Sequence, residues 1–186
     1  MLMSASKRLQ GEQSVMTNLS FALDSMTREI RTGSFYYCDS QPNSNGSNNM
    51  FNPAVNLDTL LGNSYRDCVD GNKYNGNSTR LHGLAFKEGG DSITASGERI
   101  LYYFDSQEGK IYRRVGGGAP ESIVSSGIVI KKMEFFVTGS KKLSLGGSNN
   151  DDQPAVTIFI EAAESTDATA KSYYLQTTVT QRILDL

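Results

Sequence analysis

The chain has 186 residues, with 18 Lys and Arg against 20 Asp and Glu, for a formal charge of −2. That length suits one domain with a real core, and the near balance of charge argues against a dedicated nucleic-acid surface, which is normally basic. No apolar run reaches the roughly 18 residues of a membrane-spanning helix, and the opening MSASKRLQ does not read as a signal peptide.

The first predicted element is a helix over residues 1–32. Leu2, Ala5, Leu9, Glu12, Met16, Leu19, Leu23, Met26 and Ile30 follow one another in steps of three and four, which marks one helical face broken only by Glu12. A period near 3.5 also suits packing against another helix. Arg28 and Arg31 favour the negative end of the helix, and Gly33 is placed to stop it. The large apolar residues crowd the second half (Leu19, Phe21, Ala22, Leu23, Met26, Ile30), whereas the first half is mostly small or polar. Roughly 28 residues at about 1.5 Å each make a rod of about 40 Å, longer than one small domain covers. The expectation is therefore that the second half is buried on a sheet and that residues up to about Gln13 project. No capping residue precedes the helix, as if it entered from upstream.

Residues 33–82 read as a loop-rich insertion. Gln41–Arg80 is polar and turn-rich, with one short helical turn expected at Leu57–Leu61, capped by Asn56 or Asp58. The two cysteines, Cys38 and Cys68, flank much of it. They are the smallest set that can form an intramolecular disulfide. Closing that loop contributes about 3–4 kcal/mol in the chain-entropy view, so a staple is the expectation. The alternatives are two reduced thiols, or a zinc site, for which two Cys and one distant His are a poor set. A disulfide points to an oxidising compartment outside the cytoplasm.

From residue 83 to the end the apolar period becomes two, which predicts an antiparallel sheet. Leu84–Lys87 and Ser92–Ala95 flank EGGD, and Arg99–Phe104 and Lys110–Val115 flank DSQEG; both read as hairpins. Ile128–Val137 is expected to bury Val129, Met133, Phe135 and Val137. Ala155–Ala162 should bury Val156, Ile158, Ile160 and Ala162. Ser172–Ile183 should bury Tyr173, Leu175, Thr177, Val179 and Ile183 against Leu23, Met26 and Ile30. Helix first and strands later makes an α+β fold with a long N-terminal helix packed on an antiparallel sheet.

Catalysis has little to stand on. His82 is the one histidine, and no pair of acids is set by spacing for general acid–base work. Gly116–Gly118 lacks the Lys and Ser/Thr of a phosphate-binding loop and reads as a turn. No cofactor is expected. Calcium has two weak candidates, Asp70, Asn72 and Asn75 in DGNKYNGNS and Asp151 and Asp152 in SNNDDQ. Tyr74 stands where a calcium loop of the EF-hand type needs Asp or Asn, and both stretches read as solvated turns.

Leu19–Gly33 with SMTREIRTGS, the disulfide loop, the ERILYYFD–GKIYRR hairpin, KKMEFFV and SYYLQTTVTQR occur in an order that resembles a type IV pilin-like protein. The nearest likeness is to the J-type minor pseudopilins of type II secretion and related minor pilins. The resemblance covers about half the chain. It implies a single pilin-like ectodomain over 1–186 and no reaction. The role would be a structural subunit that helps to start or cap a pseudopilus or type IV pilus. Implied partners are other minor and major subunits, with the chain extracytoplasmic and anchored in the inner membrane by an N-terminal segment. The family's leader, N-terminal Phe, following Glu and apolar stretch are absent, so the expectation is a soluble ectodomain lacking its transmembrane part. Expected subunit contacts lie on the helix: Lys7, Arg8, Glu12, Arg28, Glu29 and Arg31. The alternative is an adhesive minor pilin whose loops in Gln41–Arg80, with Phe51, Tyr65 and Tyr74, bind a surface ligand, carbohydrate or DNA.

Overall fold

A change of apolar period from about 3.5 to two implies one helix followed by strands, and the chain folds in that order. The computed structural model describes residues 2–41, 50–52, 67–72, 80–88, 99–140, 153–164 and 171–182, with helix side chains from Leu9 onward. Helix α1 (Leu2–Thr32) precedes β1 (Ser34–Gln41), β2 (Leu81–Lys87), β3 (Arg99–Asp105), β4 (Lys110–Val115) and β5 (Glu121–Ser122). Then come β6 (Ile128–Thr138), β7 (Ala155–Glu164) and β8 (Tyr173–Thr180). All neighbouring strands are antiparallel. The one expected sheet is split in two: five strands in the order β1-β2-β3-β4-β5, and three in the order β6-β7-β8. The inner faces of both sheets and one face of α1 share a single core.

The helix departs from its expected stripe at Met16, while Leu9, in the part expected to project, is exposed as expected. Val15, Leu19, Ala22, Leu23, Met26 and Ile30 are buried, whereas Leu9 and Met16 are 60% and 41% exposed. A straight helix has 3.6 residues per turn, so a strict seven-residue repeat drifts by about 20° per heptad. Going back from Ile30 through Leu23 to Met16 and Leu9, each step turns further from the core until Val15 takes the place of Met16. Phe21, counted with the core-facing half, is 75% exposed because it lies on the opposite side of the helix from Leu19 and Ala22. Docking also reaches further back than Gln13: Gly11 lies against the carboxylate of Glu164 at the end of β7.

The loop-rich reading of 33–82 needs a strand. β1 begins directly after Gly33 and pairs with β2, which starts at Leu81 rather than Leu84. Its SFYYC run fails to alternate because the register shifts between Ser34 and Tyr37, where Phe35 takes a positive φ of 58°. Such a conformation costs a non-glycine residue about 1–2 kcal/mol. The irregularity turns Tyr36 inward, and its hydroxyl sits 2.6 Å from the Ile30 carbonyl and 2.8 Å from that of Gly33. Gly33 does end the helix, but its reason is close packing, since a Cβ there would run into the Phe86 ring. Both sides of β2 are taken, by β1 and β3, so Leu84–Lys87 forms no hairpin with 92–95. The latter residues and the expected turn at 57–61 lie outside the described residues.

The second hairpin holds as expected. Asp105 accepts from the backbone N–H of Gln107 and Glu108 through Oδ1, and Gly109 closes the turn at φ 62°. On the outward face of the five-stranded sheet a smaller core forms from Met50, Phe51, Leu81, Ala85 and Leu101. Two buried arginines hold the 50–52 segment there. Arg114 donates to the carbonyls of Phe51 and Met50, and Arg99 to that of Asn52. Burial, then the neighbouring Arg114 charge, push Arg99 down to about 10.

β6 corrects one buried position. Its register shifts between Ile130 and Lys132, so Ile128 and Ile130 are buried before the bulge and Met133, Phe135 and Val137 after it. Val129, expected inside, is only half-buried. One inserted residue reverses which parity faces inward. β7 buries Val156, Ile158, Ile160 and Ala162 as expected. In β8, Tyr173, Leu175 and Thr177 are half-buried and Val179 fully buried, over α1, which packs on both β7 and β8. Ile183 lies outside the described residues.

Candidate assembly surface

The end of α1 is fixed by polar ties to both sheets. Glu29 is the main one: its carboxylate accepts from Tyr102 Oη at 2.7 Å and from Arg113 Nε and Nη2 at 3.0 and 2.9 Å. Tyr102 and Arg113 are cross-strand partners on β3 and β4, so one helical side chain clamps a hairpin. The bond to Glu29 holds the Arg113 guanidinium above its ordinary value. Burial first, then the Glu29 bond, keep the Tyr102 hydroxyl protonated well past the usual range. On the other sheet, the Arg182 amide donates to the Arg31 carbonyl at 2.7 Å, just beyond β8.

With that end fixed, the helix face turned from the core is free of the sheets. It carries Phe21, with Leu9 and Met16 on its flank. Arg28 is exposed there and pairs with Asp24 one turn earlier at 3.3 Å; such exposed pairs contribute little. Of the expected contact residues, Arg28 and Arg31 are exposed and Glu12 is half-buried with a partner. Glu29 is committed within the chain, and the side chains of Lys7 and Arg8 lie outside the described residues. The larger feature the sequence reading missed is Phe21. Its signal was its spacing, two residues from Leu19 and one from Ala22, which puts it off the face that Leu19, Ala22, Met26 and Ile30 share.

A second exposed surface is the outer face of the three-stranded sheet. A groove of about 390 Å³ runs over it, lined by Lys132, Glu134, Phe136, Thr157, Phe159 and Gln176. Lys132 pairs with Glu134 at 3.2 Å and sits over the Phe159 ring at 5.3 Å from its centre. The Phe159 ring in turn lies 6.3 Å from that of Tyr174, which is 64% exposed.

The cysteine expectation holds: Cys38 and Cys68 form a disulfide, with Cα atoms 5.9 Å apart. It joins β1 to a segment that pairs with β6, where Cys68 and Val137 exchange both backbone bonds. Asn72, weighed for calcium, is a structural knot instead. Its Nδ2 donates to the carbonyls of Asp39 and Gly83, both at 3.1 Å, and its Oδ1 accepts from the Phe135 amide at 2.8 Å. Buried and bonded to β1, β2 and β6, it has no donor face to offer a cation. Asp70 is exposed beside it; Asn75, Asp151 and Asp152 lie outside the described residues. His82 is buried, with Nδ1 at 2.8 Å from the Asn72 carbonyl and its ring against Phe104. A carbonyl only accepts, so Nδ1 carries the proton. The described residues hold no cluster of three metal-ligating side chains.

No protein-family model, curated protein or solved structure matches this chain.

Proposed function

We propose that this protein is a structural subunit of a pilus-like or pseudopilus-like assembly, of the minor pseudopilin or minor pilin kind, working extracytoplasmically by packing rather than by catalysis. The observation that carries the reading is the division of labour on one helix. One face of α1 is locked into the core and clamped through Glu29, while the other side keeps Leu9, Met16 and Phe21 toward solvent. An exposed Phe on a rigid helix is an anchor of the type that interfaces use. The disulfide supports an oxidising setting. In this reading Arg28 and Arg31 rim the contact, and neighbouring subunits' helices supply the apolar partner.

A photo-crosslinking residue at position 21, in the protein expressed in its native cells, tests the proposal. The expected result is a discrete adduct with another helix-bearing subunit, lost when Leu9 and Met16 are both changed to Ser. Absence of any adduct at 21 under conditions where the protein is folded and abundant would contradict it.

A further inference from the structure

Among the described residues, the β8 edge of the three-stranded sheet pairs with no further strand. Gln181 donates to the Pro154 carbonyl, and the β7–β8 register is continuous, so the alternation of an antiparallel ladder fixes which groups point where. Tyr173, Leu175, Thr177 and Val179 bond to β7. Tyr174, Gln176, Thr178 and Thr180 turn their N–H and C=O outward, and among the described residues no backbone partner meets them; the next residue of that parity, Arg182, is the one that α1 takes through Arg31. The edge is also undefended. YYLQTTVT contains no charge, Pro or Gly, although native edges are usually blunted by such residues. It is made of residues that favour strands.

We propose that β8 is a strand-addition site for an extended segment of another protein, uncharged in its middle and acidic at both ends. The middle follows from the free amides and carbonyls, which bond to any backbone. The acidic ends follow from the charges that bracket the edge: Lys171 and Arg182 are both exposed and stand just before and just after β8. The same charges weigh against a second copy. Two-fold pairing centred on Thr177 sets Tyr174 opposite Thr180 and Gln176 opposite Thr178, and brings Lys171 of one copy beside Arg182 of the other at both ends. The groove over Phe136 and Phe159 begins at Gln176 on this edge. It gives a long apolar side chain of the added strand a place to lie. This inference stands on the sheet edge alone and does not depend on the helix reading above.

The probe is a synthetic eight-residue peptide of alternating Thr and Val with Asp at each end, titrated into isotope-labelled protein at low salt. The expected result is protection of the amides of Tyr174, Gln176, Thr178 and Thr180 from exchange. Binding should weaken by roughly ten-fold when the end residues are Lys, because charge complementarity contributes and is screened. Gln176→Pro removes one outward N–H without touching the β7 ladder, so it should leave the fold intact and abolish protection. Equal binding of both peptides, or protection elsewhere on the surface, overturns the proposal. So does protection of the same four amides by self-association in the absence of peptide, which would assign the edge to a second copy.

Discussion

The two edges of the three-stranded sheet make an instructive pair. Along β6 three outward amides are answered from several parts of the chain: Ile130 donates to the Gly109 carbonyl, Phe135 to Asn72 Oδ1 and Val137 to the Cys68 carbonyl. Along β8, among the described residues, no backbone group answers the outward amides of Tyr174 to Thr180. The difference shows where the fold invests its polar connections. The β6 edge welds the two sheets into one body, through the β3–β4 turn at one end and the disulfide-bearing segment at the other. The β8 edge makes no such connection among the described residues.

The weld can be broken from the Asn72 side with the largest effect. Asn72→Ala leaves the carbonyls of Asp39 and Gly83 and the Phe135 amide without this partner in a dry setting. Orphaned buried groups cost about 1–3 kcal/mol each, and some relax, so a loss of about 4 kcal/mol is expected by urea denaturation. Removing the staple comes next. Converting Cys38 and Cys68 together to Ser frees a separation of 30 residues, which the chain-entropy estimate puts at about 3.5 kcal/mol. If either change costs under about 1 kcal/mol, the β6 edge is not the weld described above.

The helix end, tied to the chain just beyond β8 by the Arg182–Arg31 backbone bond, is probed by pH. Burial raises the Tyr36 hydroxyl above its ordinary value near 10. Its folded-state pKa lies above its unfolded one, so the stability it contributes is full below about pH 10 and is lost as pH climbs toward the folded value. Tyr36→Phe should therefore lower stability at neutral pH and flatten the alkaline loss above pH 10, read from urea midpoints at successive pH values. The smallest effect belongs to the open edge itself. Thr178→Lys gives up only an exposed hydroxyl pair with Thr157 at 2.8 Å, and its cost should stay within about 1 kcal/mol. A larger loss would mean that the edge is covered.

Much of this was legible in the sequence, and the exceptions have physical causes. The helix and its stop, the DSQEG hairpin, the three long strands and the disulfide follow from period, turn residues and cysteine count. The half-buried alternation of β8 was also visible, because one wet face leaves a period of two. What failed was register. Met16 shares a stripe with Leu23 and Ile30 in the sequence because a 3.5 step and a 3.6 helix differ too little over one turn to notice and too much over three. Val129 was assigned inward because a bulge at Lys131 cannot be seen in IVIKKMEFFV. β1 was missed because the inversion at Phe35 destroys its alternation. Glu29 read as a surface charge, since nothing local says that Arg113 and Tyr102 converge on it from residues far away in the chain. Asn72 sat in a Gly- and Asn-rich stretch where its three long-range bonds leave no local trace. The open edge of β8 could be suspected from its lack of charge, but which edge of which sheet it formed required the topology.

The contrast between the edges is tested most directly by amide hydrogen exchange on the free, monomeric protein at neutral pH. The expected result is slow exchange at Ile130, Phe135 and Val137, near the rate set by global unfolding, with fast exchange at Gln176, Thr178 and Thr180. The odd-numbered neighbours Leu175, Thr177 and Val179 should be slow, giving an alternating pattern along one strand. Uniform slow exchange through β8, or fast exchange at Phe135 and Val137, would contradict the account of one welded and one open edge.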